Sequence, residues 1–149
     1  MEIVKITDIE VLIRLRFDYF LQDGHMPEGD NRLLEESLRS YFERRLGHDF
    51  VALGVRERDE IVSVGYLVIH EMPANAYAPT GLTGTLLNVL TYPPYRGKGY
   101  GKALIQAIHV EARERGLAFI DLFATEMGIP LYEKTGFLPI EYQAMRLKL

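Results

Sequence analysis

The chain has 149 residues, a net charge of −4 at pH 7, 48% hydrophobic and 26% charged residues, and no cysteine. This is an ordinary composition for one soluble globular domain, residues 1–149, large enough to bury a core. It excludes disulfides, thiolate metal sites and a cysteine acyl-enzyme, and its acidic balance offers no general field for nucleic acid.

Glu2 to Ile6 alternates polar and apolar residues and predicts a short strand. The start carries no basic segment followed by a long apolar stretch, so no signal peptide is expected. No stretch reaches the roughly 18–20 apolar residues that span a bilayer. With no cysteine, a cytoplasmic protein with no membrane partner is expected.

Thr7-Asp8-Ile9-Glu10 fits a capping box with Thr7 at the N-cap, and the helix it opens carries Ile9, Leu12, Ile13, Phe17, Phe20 and Leu21 as its inner stripe. Residues 22–31 form a turn-rich loop with Asp23, Glu28 and Asp30. A second helix follows from about Arg32 to Leu46, with Leu34, Leu38, Tyr41 and Phe42 inward. Phe50–Val55 and Ile61–Ile69 read as strands joined by a charged hairpin connection, and Glu71–Leu82 as a long connection. Thr83–Thr91 is a strand. The next helix begins near Gly99, buries Leu104, Ile105, Ile108 and Ala112, and stops at Gly116. Ala118–Ala124 is a strand, and a short helix from about Ile129 ends at Gly136. Pro130 keeps that helix from starting much before Met127. Phe137 to Leu147 supplies the last strand or strands. The order β-α-α-β-β-β-α-β-α-β predicts a mixed α/β fold, with an antiparallel first half and a parallel strand crossing around the long helix.

Pro93-Pro94-Tyr95-Arg96-Gly97-Lys98-Gly99-Tyr100-Gly101-Lys102 sits at the strand-to-helix turn. Glycines let the backbone turn tightly, and unpaired N–H groups at a helix start face an anion, so this is a phosphate cradle. A Walker A loop fails, because Ala103 stands where its hydroxyl belongs and Arg96 where its first glycine belongs. The dinucleotide fingerprint G-x-G-x-x-G fails because Lys102 takes the place of its third glycine.

The spacing fits R-x-x-G-x-G at Arg96, Gly99 and Gly101, and Leu131-Tyr132-Glu133-Lys134-Thr135-Gly136-Phe137 fits L-Y-E-K-x-G-F. With both blocks in order and one helix and one strand between them, the chain resembles the GNAT superfamily of N-acetyltransferases, with no subfamily distinguished. The resemblance implies a splayed mixed sheet and acetyl-CoA as cosubstrate. It also implies direct attack by an amine within a ternary complex, the acceptor being a small molecule or a peptide. It further implies that the amides from Gly97 to Gly101, Tyr100 included, hold the pyrophosphate, with Arg96 and Lys98 adding charge. Lys102 reads equally as a phosphate contact or a solvated residue. A bulge in the preceding strand, placed at Leu90-Thr91, would free backbone groups for the pantetheine arm and polarise the thioester carbonyl. Tyr132 takes the general-acid position, against the plainer reading of a core aromatic. Thr125 stands where many members carry an asparagine near the pantetheine.

No carboxylate occupies Thr85 to Asn88, where some members hold a base, which leaves His70, Glu71, water held by Asn88, or no dedicated base. His25, His48 and His109 lie far apart with no ligand spacing, so no metal site is expected. The resemblance implies that the loop from Asp23 to Asn31 borders the acceptor, where its three carboxylates would favour a cationic one, although solubility explains them equally well. A homodimer through the C-terminal strands or an exposed edge is a further expectation. A noncatalytic acyl-CoA-binding module on the same fold is the rival reading.

Overall fold

A computed structural model describes residues 1–149 throughout. Strand β1 (Glu2–Lys5) leads into helix α1 (Ile9–Asp23). The helix is capped one residue later than expected: Asp8 accepts the Val11 N–H at 3.2 Å, because its carboxylate is an N-cap acceptor at least as good as the Thr7 hydroxyl. Leu12, Ile13 and Leu15 form the buried face of α1, whereas Leu21, expected inside, is 66% exposed on the last turn. Helix α2 (Arg32–Arg45) turns Phe42 fully inward.

Strands β2 (Phe50–Glu57) and β3 (Glu60–Glu71) are longer than the sequence pattern suggests. Only Arg58 and Asp59 turn, at φ of 49° and 66°, as a two-residue hairpin matched to strand twist requires. Strand β4 (Leu82–Thr91) returns antiparallel to β3. A short 3₁₀ turn (Pro93–Tyr95) leads to α3 (Tyr100–Glu114), β5 (Ile120–Asp121) and α4 (Ile129–Lys134).

The sheet order is β1-β2-β3-β4-β5, antiparallel except for β5, which α3 carries round to lie parallel to β4. Both faces are covered. Phe50, Ala52 and Tyr66 pack with α1 and α2, while Val51, Leu53, Val55 and Leu67 pack with Leu104, Ile105 and Ile108 of α3. The unbroken apolar run in β2 therefore feeds two cores by strand alternation. Each fully buried Leu or Ile contributes about 1.5–3 kcal/mol.

The mixed α/β class and the order through α4 are as expected, and the last strand is not. Residues 138–149 form no element, make no hydrogen bond and are exposed throughout, with Leu138 at 83% and Leu147 at 83%. Pro139 removes a ladder donor, and the adjoining strand is too short to template a partner. The strand expected over Ala118–Ala124 contracts to Ile120–Asp121 because β4 and β5 diverge beyond Thr85. No helix is long and apolar enough to cross a membrane.

Candidate active site

The divergence of β4 and β5 makes a notch. Gly84 pairs with Ile120 and Thr85 with Asp121, after which β4 continues to Thr91 with no strand on that edge. A bulge accompanies the opening. Val64 faces Leu90 while Tyr66 faces Leu87, so β4 spends one residue more than β3 over the same span. Asn88 lies within it at φ 56°, a left-handed conformation that asparagine adopts more readily than most residues. The bulge switches side-chain parity: Leu86 enters the α3-side core and Leu90 the α1–α2 side. It therefore lies at Asn88–Val89, two residues before the expected Leu90-Thr91.

The glycine turn follows the notch. Gly97 and Gly99 have φ of 74° and 84° with open space where a Cβ would stand, so they serve backbone conformation. Gly101 serves proximity, since a Cβ there would lie 3.1 Å from Leu131 Cδ2 and 3.6 Å from Thr91 Oγ1. The end of β4, the start of α3 and α4 meet at that glycine. The amides from Gly97 to Lys102 donate to no acceptor in the protein, and the first α3 bond is Ala103 N–H to the Gly99 carbonyl. A 15-residue helix with no side-chain cap directs these donors outward, which suits the oxygens of a pyrophosphate.

The side chains of this turn divide the work differently. Arg96 is a brace: Nε donates to the Thr91 carbonyl at 3.0 Å and Nη2 to Gln22 Oε1 at 2.6 Å. Tyr100 donates its hydroxyl to Glu57, which raises its pKa, so its ring ties α3 to the β2–β3 hairpin and only its amide faces the turn. Lys98 lies 5.4 Å over the Tyr95 ring, and Lys102 is exposed, leaving both ammonium groups without an ion-pair partner.

Tyr132 is the residue after Leu131. Its ring meets Phe137 edge-on at 5.7 Å, and a Cβ on Gly128 would come within 2.9 Å of Tyr132 Cε2. The ring is thus seated from both sides. Burial, with a smaller contribution from Tyr19 of α1, pushes its pKa up to about 12, so the phenol is protonated at neutral pH. Thr125 uses its hydroxyl to accept the Gly128 N–H at 3.2 Å, shaping the turn that begins α4.

His70 pairs with Thr83 and Glu71 with Leu82, at the end of β4 where β5 is still zipped. Seven residues separate Thr83 from Leu90, roughly 23 Å of strand. His70 instead bonds Thr85 Oγ1 at 2.9 Å, in a polar hollow with Arg45 and Asp49. Of the three carboxylates in the acidic loop, Asp23 bonds His25 and Asp30 pairs with Arg32, while Glu28 has no partner. No group of three or more His, Asp or Glu side chains is arranged to hold a metal ion.

Arg16 enters the site although motif reading passes over it, and it meets Asn88, which the sequence offers only as the holder of a water. Arg16 of α1 donates from Nη1 to Asn88 Oδ1 at 3.1 Å, and Asn88 donates from Nδ2 to the Leu15 carbonyl at 3.4 Å. The sequence signal is positional: Arg16 stands on the apolar stripe, four residues after Leu12 and four before Phe20.

Residues 10–137 match the Acetyltransferase (GNAT) family. The chain belongs to the GNAT family. Among solved structures, this GNAT chain resembles a predicted acetyltransferase with acetyl-CoA from Clostridium acetobutylicum, 26% identical at a TM-score of 0.86, covering 97% of this chain and 95% of that one. A GCN5-related N-acetyltransferase from Ralstonia eutropha is 27% identical at a TM-score of 0.81, covering 98% and 97%. A glucosamine 6-phosphate N-acetyltransferase of Trypanosoma brucei brucei is 42% identical over 66 residues, 44% of each chain. The GNAT chain spans about half or less of the length of the curated relatives it matches.

Proposed function

We propose that this protein is an acetyl-CoA-dependent N-acetyltransferase, an acyltransferase acting as one domain over residues 1–149. The observation that carries this reading is the run of unpaired amides from Gly97 to Lys102, held by Gly101 against the helix that bears Tyr132. The amides take the pyrophosphate of acetyl-CoA, and the notch beyond Thr85 gives its pantetheine arm a strand edge to bond. Leu90 and Thr91 line the end of that edge. Thr125 acts through the turn it caps, and Arg96 by bracing the cradle.

A primary amine attacks the thioester carbon directly in a ternary complex. The C–N bond forms as the C–S bond breaks, and the surplus amine proton leaves through water, since His70 and Glu71 stand at the paired end of β4. The departing thiolate, of ordinary pKa about 8.5, takes a hydrogen bond and then the proton from the Tyr132 hydroxyl, and the phenolate is reprotonated by water that has received the amine proton. A phenol held near 12 keeps its proton until that moment.

Free-thiol release from acetyl-CoA across a panel of small amines, amino acids and peptide termini tests this reading. Tyr132→Phe is expected to lower kcat about 10²–10⁴-fold while acetyl-CoA binding by calorimetry changes less than threefold. Binding with no release on any amine would instead identify an acyl-CoA-binding module.

The reading includes a cytoplasmic location, which a chain with no cysteine suits, and a homodimer. The dimer is supported by two features, the exposed apolar series Leu138, Ile140, Tyr142, Met145 and Leu147 and the free edge of β5. Sedimentation checks it against the 17.1 kDa protomer.

A further inference from the structure

Arg16 is set apart from the five arginines of this chain that have a counter-charge. Arg32, Arg39, Arg45, Arg56 and Arg115 each pair with a carboxylate. Arg16 pairs with none, although it is half-buried on the inner face of α1. Its Cζ lies 4.6 Å from the Phe20 ring centroid and 5.9 Å from that of Tyr19. Burial holds its pKa below the ordinary guanidinium value, and the groups that oppose this are the phenols of Tyr66, Tyr19 and Tyr41, with no acid among them.

A guanidinium has five N–H donors, and the protein accepts one of these, through Asn88. Removing such a cation from water without a counter-charge is costly. The residue that holds it is itself fixed: Asn88 is 1% exposed, sits at the bulge, and uses both ends of its amide on α1. Asn88 therefore acts as a positioning residue that aims the guanidinium at the α1 side of the notch. Tyr19 completes the arrangement, its ring centroid 5.9 Å from the Arg16 Cζ. A cation with a free planar fork thus stands at the β4 bulge, on the edge that β5 leaves open, and a planar fork matches a carboxylate or phosphate.

We infer that Arg16 binds the anionic group of the acceptor, so that the substrate class is an amine carrying a carboxylate or a phosphate. This rests on the acetyltransferase reading, and acetyl-CoA affinity is measured first so that the two fail separately. The experiment compares matched acceptors in steady-state thiol release with the full chain. Glycine is set against glycinamide for the carboxylate, and phosphoethanolamine against ethanolamine for the phosphate.

The expected result is that the wild type prefers one anionic member by roughly 10–100-fold in kcat/KM, as for a charge-assisted hydrogen-bonded pair. The pair that shows the preference identifies the anion. Arg16→Gln is expected to bring that ratio close to one, and Arg16→Lys to leave it in between. Equal use of charged and neutral acceptors by the wild type overturns the inference, as does a ratio that survives Arg16→Gln. A purely structural role would slow both acceptors alike and leave the ratio unchanged. Should no amine be turned over, calorimetric binding of the same pairs to the acetyl-CoA-loaded protein decides, and equal binding overturns it.

Discussion

The two halves of the notch are built from different materials. The donor half is main chain: amides from Gly97 to Lys102 and the open edge of β4 beyond Thr85. The acceptor half inferred above is side chain: Arg16, Tyr19 and Asn88, brought together from α1 and β4 across 72 residues of sequence. A main-chain site is recorded in the sequence as glycines at fixed spacing, because only backbone conformation has to be kept. A side-chain site is recorded as single residues whose meaning depends on what the fold sets beside them.

Gly99→Val offers the largest way to break that separation. A β-branched residue at φ 84° is strained by about 1–3 kcal/mol. Distorting the turn by that energy is expected to cost roughly 10–100-fold in acetyl-CoA affinity, measured by calorimetry, while circular dichroism stays native and the charged-to-neutral acceptor ratio holds. A parallel loss of acceptor selectivity would show that the halves are one site. Asn88→Gly sharpens the contrast from the other side, since it keeps the positive φ and removes only the amide. Chemical denaturation is expected to show a loss of about 1–3 kcal/mol for the unpaired groups left behind, with relaxed acceptor selectivity and acetyl-CoA affinity within threefold.

The smallest effect is on pH dependence. The folded state raises the Tyr132 pKa from 10.0 to about 12. This residue therefore contributes no change in stability below pH 10, and a loss as pH climbs from 10 towards 12, because the unfolded phenol releases its proton first. Thermal unfolding of the wild type and Tyr132→Phe should run parallel below pH 10 and diverge above it. Divergence near neutrality would mean that Tyr132 is not seated as described.

The same distinction explains what was legible beforehand. Helices and strands through α4 follow from periodicity, because both faces of the sheet are covered and each element must turn a stripe inward. Arg96 illustrates the limit. Its place in R-x-x-G-x-G was readable, but not that its guanidinium would be occupied by Thr91 and Gln22. The bulge position was displaced by two residues because a register shift leaves no trace in side-chain pattern until parity is known on both sides, at Leu86 and Leu90. The last strand is missing because β5 ends after Asp121 and offers no ladder, although the apolar alternation after Phe137 is present.

The Arg96 brace has a mechanical meaning. One arm closes the turn on its own strand and the other grips the last turn of α1, one residue before Asp23 ends that helix. Helix α1 is also the element that carries Arg16. The glycine turn and the helix that carries Arg16 are thus tied through one guanidinium, a direct link between the proposed donor and acceptor sides.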